Sequence, residues 1–270
     1  MLQVPIRISS RIADGIKQFQ PLIESAKKRD INESDTVVLM TGIISEILGF
    51  DKYNDITTEV PIRGTFCDLA LKIDNKVQII VEAKAIGIEL KDHHVKQGID
   101  YAANKGLEWV VLSNAINWRV YKVIFSKPIN YSLVCEVDFL SLDNKADDDI
   151  QKLFILTKEA VSKNLLEDVF TQKQATSKFI IGNLLYFDPI ISAIRKELRQ
   201  LYPDIKVDTE EVKNVLLNDV LKREIIEGDE ADDAKKKITK MYRKKEKLED
   251  QKVTDTNIPD PASITSDKLN

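Results

Sequence analysis

Through residues 36–50 the apolar positions Val37, Met40, Ile44, Ile47 and Leu48 recur at the spacing of one helix face. Ser34 and Asp35 stand before them as cap candidates and Gly49 follows as a stop, so the pattern predicts a helix. The period then changes to two. Segments 59–73 and 77–85, followed by 109–112 and 118–125, are rich in β-branched and aromatic residues and predict strands. A helical pattern over 92–104, closed by Gly106, separates the second strand from the third. Helix, strand, strand, helix, strand, strand is the order of an α/β domain, with a mixed central sheet flanked by helices.

Beyond residue 146 the strand signals fade. Asp188-Pro189 reads as a cap and first turn, and Asp208 with Glu211 as a capping box, so a helical C-terminal region is expected over 146–227 after a first domain over 1–145. From 228 to 270 the chain is charge-dense and poor in apolar residues, which predicts some helix and then a largely disordered tail. Its basic cluster over 235–247 reads first as a solvated helix face and second as a contact for nucleic acid.

The 270 residues, 43% of them apolar, suffice for a sizeable core. No apolar run approaches the length of a membrane helix, and the residues after Met1 lack a leader's apolar stretch, so a cytoplasmic protein is expected. Two cysteines, Cys67 and Cys135, are too few for a disulfide framework or a cysteine-rich zinc site. A net charge of -4 argues against a protein that coats nucleic acid by bulk charge, but not against an enzyme with a local acidic site. Neither G-x-x-x-x-G-K-[ST] nor G-x-G-x-x-G occurs, so no phosphate-binding loop of either kind is expected.

The chemistry concentrates in the first two strands. Alternation puts Cys67, Leu69, Leu71 and Ile73 on one face and Asp68, Ala70 and Lys72 on the other; in the next strand it separates Val77, Ile79, Val81 and Ala83 from Gln78, Ile80, Glu82 and Lys84. A three-residue loop at Asp74-Asn75-Lys76 would pair Ile73 with Val77 and therefore Asp68 with Glu82. A two-residue loop would slip that register by one and part the carboxylates. Directly opposed carboxylates destabilise a sheet unless a cation neutralises them. Two carboxylates with a lysine two residues along suit phosphodiester hydrolysis assisted by a hard divalent cation. The plainer reading is a surface carboxylate pair with a salt bridge.

Asp68, then thirteen residues, then Glu82-Ala83-Lys84 at the end of an apolar strand resembles the core of the PD-(D/E)xK nucleases. With the upstream helical Glu46 and the downstream Gln97-Gly98-Ile99-Asp100-Tyr101, which fits Q-x-x-x-Y, the pattern over roughly residues 30–125 most resembles the N-terminal nuclease domain of type I restriction enzyme R subunits. The resemblance implies a restriction-endonuclease-like core. It further implies that Asp68, Glu82 and the Ala83 carbonyl bind Mg²⁺, with Mn²⁺ as a substitute, that Lys84 is catalytic and that Glu46 supports the metal site. Cys67 stands where the motif's nominal proline would be. Gln97 and Tyr101 fall away from the Val95, Ile99 and Ala102 stripe, which suits either a solvated helix face with a snorkelling Tyr or a contact with substrate; the Q-x-x-x-Y match implies the contact. His93 and His94, being adjacent, make a poor metal pair.

The expected activity is Mg²⁺-dependent DNA endonuclease cleavage without an ATPase motor of the chain's own. The alternative is an inactive DNA-binding or partner-binding module that retains the nuclease fold. DNA is the expected partner. A homodimer would serve two-strand cleavage, and helicase or modification subunits would come from other chains.

Overall fold

The structure, a computed structural model, describes residues 3–62 and 65–255. It divides into two compact units, 1–171 and 172–270.

The first unit opens with helix α1 (Ile6–Lys28), whose buried Ile8, Ile12, Ile16, Phe19 and Ile23 follow the 3.6-residue period. Helix α2 (Glu33–Glu46) follows. Its cap is Asn32, whose side chain accepts from the Asp35 N–H at 2.9 Å, rather than Ser34 or Asp35. A six-stranded sheet then runs in sequence order: β1 (Ile56–Ile62), β2 (Thr65–Ile73), β3 (Lys76–Ala83), β4 (Trp109–Ser113), β5 (Asn117–Ile124) and β6 (Asn130–Asp138). The single strand expected over 59–73 is thus two antiparallel strands, with Arg63 and Gly64 between them outside the described residues. Among the described residues only β3 and β4 pair in parallel, since helix α3 (Asp92–Lys105) carries the chain back between them. Gly106 ends α3 in the left-handed conformation at φ 68°, which a glycine adopts without steric cost.

Each sheet face buries its own cluster. Leu69, Leu71, Ile79, Val81, Val111 and Val120 pack with α1 and α2 in the larger one. Ala70, Ile80, Val110, Leu112 and Tyr121 pack with Val95, Ile99 and Ala102 of α3 in the other.

Helices α4 (Asp147–Phe154) and α5 (Lys158–Ser162) belong to this first unit, although the sequence suggests a boundary near 145. The cause is specific anchoring. Arg11 grips Glu159 with two hydrogen bonds of 2.7 and 2.8 Å and donates from Nε to the Ile47 carbonyl. Lys158 donates from its backbone to Leu48 and from its side chain to Asp55. Ile150, Leu153 and Phe154 complete the larger core. Helix α6 (Leu165–Ala175) follows, fixed at its start by an ion pair from Glu167 to Lys122.

The second unit is helical. Its elements are α7 (Lys178–Leu185), α8 (Asp188–Leu201), α9 (Thr209–Val215), α10 (Arg223–Ile226) and α11 (Asp229–Asp255). Ile191, Val212 and Leu216 form a small core. The expected capping box is present, with Asp208 accepting at the N-terminus of α9 and Glu211 reaching back to the Asp208 N–H. The segment 228–270, expected to be largely disordered, is helical through Asp255 because α11 carries an apolar stripe, Ala231, Ala234 and Ile238, that it buries.

Candidate metal-binding and catalytic site

The β2–β3 hairpin sets the first distances. Its turn has two residues, not three: Asp74 and Asn75, both at positive φ (50° and 61°), with Ile73 opposite Lys76. Asp and Asn tolerate that conformation better than other side-chain-bearing residues. Unbroken, this register would set Asp68 against Val81. A bulge intervenes, because Lys72 faces Val77 whereas Leu71 faces Ile79, leaving Gln78 without an opposite number. From there Ala70 faces Ile80 and Leu69 faces Val81, so the next step opposes Asp68 to Glu82. The expected apposition is therefore met by a different route. One side effect is that Val77, assigned by alternation to the Ile79 face, packs instead on the α3 side with Ile80.

Asp68 is held by the chain it faces, its Oδ2 accepting from the Ala83 N–H at 2.7 Å. Glu82 is 2% exposed. Gly98 of α3 makes room for it: a Cβ there would come within 2.9 Å of Val110 and 3.7 Å of the Glu82 Cβ, so glycine lets α3 close over β3 and β4 at this point. Glu82 Oε1 accepts from Lys84 Nζ at 2.9 Å. Glu82 Oε2 is buried and has no hydrogen-bond partner among the described residues. Burial pushes the Glu82 carboxyl up to about 6; Lys84 opposes the shift, while Asp68 and Glu33 add to it.

Lys84 continues the ladder, its backbone N–H donating to the Ser113 carbonyl at 2.9 Å. Its ammonium contacts Glu82 Oε1 and the Ala83 carbonyl, the latter at 2.7 Å, and lies 3.8 Å from Glu33 Oε2. Burial alone would lower the Lys84 pKa, but Glu82, Glu33 and Asp68 together raise it above the ordinary lysine value.

Asp68, Glu82, Ala83 and Lys84 thus come together, and Glu46 does not join them. It sits in the last turn of α2, where its carboxylate accepts from Gln18 of α1 at 2.9 Å. Glu33, in the first turn of the same helix, is the glutamate near Lys84; at 1.5 Å per residue the two lie about 20 Å apart along the axis. The signal for Glu33 is Asn32, a cap two residues before the nearer of the candidates weighed from the pattern.

The α3 residues divide as well. Gln97 is exposed, one position before the glycine that covers Glu82. Tyr101, expected to face outward as a substrate contact, is only 5% exposed and packs with Val95, Ile99 and Ala102. Its hydroxyl shares a hydrogen bond with Cys67, and burial pushes its pKa up to about 12. It is a prop beneath the strand that carries Asp68. His93 is exposed and His94 half-buried, with its Nδ1 accepting from the Lys91 N–H at 3.1 Å. Desolvation lowers the pKa of His94, and its neighbours His93, Lys84 and Lys91 lower it further.

Among the described residues no three His, Cys, Asp or Glu side chains gather closely enough to hold a metal by themselves. A hard divalent cation needs fewer. Mg²⁺ is commonly held by one or two carboxylates, with water and substrate phosphate completing the shell. Two apposed carboxylates, one with an orphaned buried oxygen beside a main-chain carbonyl, fit that demand.

Residues 45–137 match the family model described as Type I restriction enzyme R protein N terminus (HSDR_N). The matched stretch runs from the end of α2 into β6, so it contains Asp68, Glu82, Lys84, Gln97 and Tyr101 and stops short of Glu33. This is the family that the residue pattern resembles. No curated protein and no solved structure matches the chain.

Proposed function

We propose that this chain is a metal-dependent deoxyribonuclease that hydrolyses DNA phosphodiester bonds with Mg²⁺, or Mn²⁺ in its place. The observation that carries the reading is Glu82, a buried carboxylate apposed to Asp68 with one oxygen left without a partner. An oxygen so placed costs stability, and structures keep such costs mainly where function uses them. The family match over 45–137 supports the coarser statement of a nuclease-like role.

Asp68, Glu82 and the Ala83 carbonyl would hold the cation. When bound it supplies a lowered pKa for water and neutralises charge on the phosphate under attack. The chain's own groups do the rest. The Ala83 N–H holds one oxygen of the Asp68 carboxylate. Lys84, charged at neutral pH because three carboxylates surround it, can turn from Glu82 to donate to a phosphate oxygen as negative charge develops there. Glu33 keeps Lys84 at the rim during that turn. Gln97, exposed beside Gly98, is positioned to touch the substrate backbone.

A second reading has one observation in its favour. The Lys84 ammonium already satisfies Glu82 Oε1 and the Ala83 carbonyl, as a site retired into a DNA-binding or partner-binding module would have it. DNA is the partner in the first reading and in the DNA-binding form of the second. A homodimer, and helicase or modification subunits of a restriction complex, extend the first. Restriction, phage defence, mobile-element biology and DNA repair would all use such an activity.

The test is cleavage of supercoiled plasmid and of single-stranded DNA with Mg²⁺ or Mn²⁺ by the wild type, Glu82→Ala and Lys84→Ala. Metal-dependent cutting that both variants lose is the expected result. Intact DNA in every lane, with binding retained, would replace the nuclease by the binding module.

A further inference from the structure

Helix α11 in the second unit has two unlike faces. Ala231, Ala234 and Ile238 are buried, and Tyr242 stacks on Phe187 with ring centroids 4.8 Å apart. Spaced three and four residues apart, these positions form the side that α11 packs on its own unit. On another side Lys235, Lys236, Lys240, Arg243 and Lys244, with Thr239 among them, line one surface hollow. All five cations are exposed.

Their neutralisation is uneven. The acidic residues Asp229, Glu230 and Asp232 gather in the first turn, where the helix dipole favours them. No acidic residue occurs between Asp233 and Glu246. Lys235 and Lys236 reach back to Asp232 and Asp233 at 3.5 and 3.3 Å. Lys240, Arg243 and Lys244 have no ion pair among the described residues. Lys236, Lys240 and Lys244 also stand four apart, so like charges face one another along the axis and disfavour the helix unless an anion lies against it.

We propose that this face of α11 binds the phosphate backbone of duplex DNA without regard to base sequence; the choice of DNA among polyanions rests on the nuclease reading. From Lys235 to Lys244 the stripe runs about 14 Å, which along the duplex axis spans about four phosphates of one strand at about 3.4 Å of rise each. Lysine predominates and neither Asn nor Gln lies in it, so it is suited to backbone contact rather than base reading. An anionic membrane fits less well. The apolar positions of α11 are turned into its own unit, and over residues 229–244 Met241 alone is a large exposed apolar side chain.

The test compares the full chain with a variant carrying Lys240→Gln, Arg243→Gln and Lys244→Gln, and with one carrying Lys240→Arg and Lys244→Arg. Binding to a short labelled duplex is followed by fluorescence anisotropy in EDTA across a salt series, with circular dichroism confirming that the helix persists. The Gln variant is expected to bind about tenfold or more weakly, with a salt slope smaller by about 2 to 3, while the Arg variant stays near wild type. Equal affinity and slope in wild type and the Gln variant overturn the inference and leave the nuclease reading standing. Loss of binding in the Gln variant from a wild type that cuts nothing under any metal supports the inference and sinks the nuclease instead. Tighter binding of phosphatidylserine vesicles than of DNA, dependent on the same three residues, assigns the face to membranes and overturns it.

Discussion

Two lysines reach into the interior of the first unit, and they end in different company. Lys122 on β5 has its ammonium against the carboxylates of Glu108 and Glu167, with the rings of Trp109 and Phe170 at 4.9 and 5.5 Å. Cation, carboxylates and aromatic faces satisfy one another there, and the result fastens α6 to the sheet. Lys84, just past the end of β3, is likewise partly buried among carboxylates, but it leaves Glu82 Oε2 without a partner among the described residues. A closed set of interactions holds a fold together, whereas an open one retains capacity to bind something else. Buried charge by itself does not mark a site; buried charge with an acceptor to spare does.

The contrast breaks most sharply in Lys84→Ala. Cleavage per folded molecule should fall about a hundredfold to a thousandfold, with a stability loss of about 1 to 3 kcal/mol beside it because Glu82 Oε1 loses its donor. Unchanged cleavage per folded molecule would make Lys84 a structural residue. Lys122→Met should do the reverse. It is expected to cost about 2 to 3 kcal/mol in urea unfolding, below the range for fully buried pairs because Glu108 and Glu167 are partly exposed, with cleavage per folded molecule unchanged.

Glu82→Gln separates the two kinds of burial by pH. The Glu82 carboxyl stands at about 6 in the folded chain against an ordinary 4.5, so the folded state favours its neutral form. Below pH 4.5 the group is neutral whether folded or not, and the variant and wild type should be equally stable. Above pH 6 it is charged in both states and the metal-free fold carries a penalty of about 2 kcal/mol, which Gln removes. Thermal unfolding in EDTA at pH 4 and pH 8 measures this, and a variant less stable than wild type at pH 8 would refute it. Added Mg²⁺ should stabilise the wild type and not the variant.

Two smaller effects complete the series. Tyr101→Phe removes the hydroxyl that meets Cys67 and should cost about 1 kcal/mol in thermal unfolding, leaving DNA affinity unchanged. Glu33→Gln should weaken Mn²⁺ binding by about threefold in calorimetry, since Glu33 is half exposed and acts across solvent, whereas Glu46→Gln should leave it unchanged.

These residues also mark where the chain could be read in advance. That Asp68, Glu82 and Lys84 lie close together was legible within seventeen consecutive residues. The loop length assumed for their pairing was not, since the turn has two residues and a bulge at Gln78 restores the apposition. The α3 boundaries were legible from local pattern too, with Gly106 as a stop. Glu46 misled because its partner, Gln18, comes from α1, a long-range contact that no local pattern reveals. Tyr101 misled because a helical projection treats every side chain as equal. Gly98, lacking a side chain, lets the helix approach the sheet and draws its neighbour into the core. The β6 strand went unread because its burial is partial and uneven, so alternation is weak there. The second unit's α11 was half-read: its charge was plain, but the apolar stripe that keeps it folded is three small or medium residues in a charged run.

The bulge at Gln78 has a consequence for how the hairpin can vary. An odd number of residues separates the apposed carboxylates, and a two-residue turn accommodates only an even number unless one residue is set aside. Gln78 is that residue. Shortening the chain there by one would yield a regular ladder with Asp68 still opposite Glu82, since the faces buried by Leu69 and Val81 hold the register on the site's side. Hairpin tips are exposed places where chains gain and lose residues readily. The fold thus carries a spare link between its most changeable segment and its least, so single-residue drift at the tip need not reach the two carboxylates.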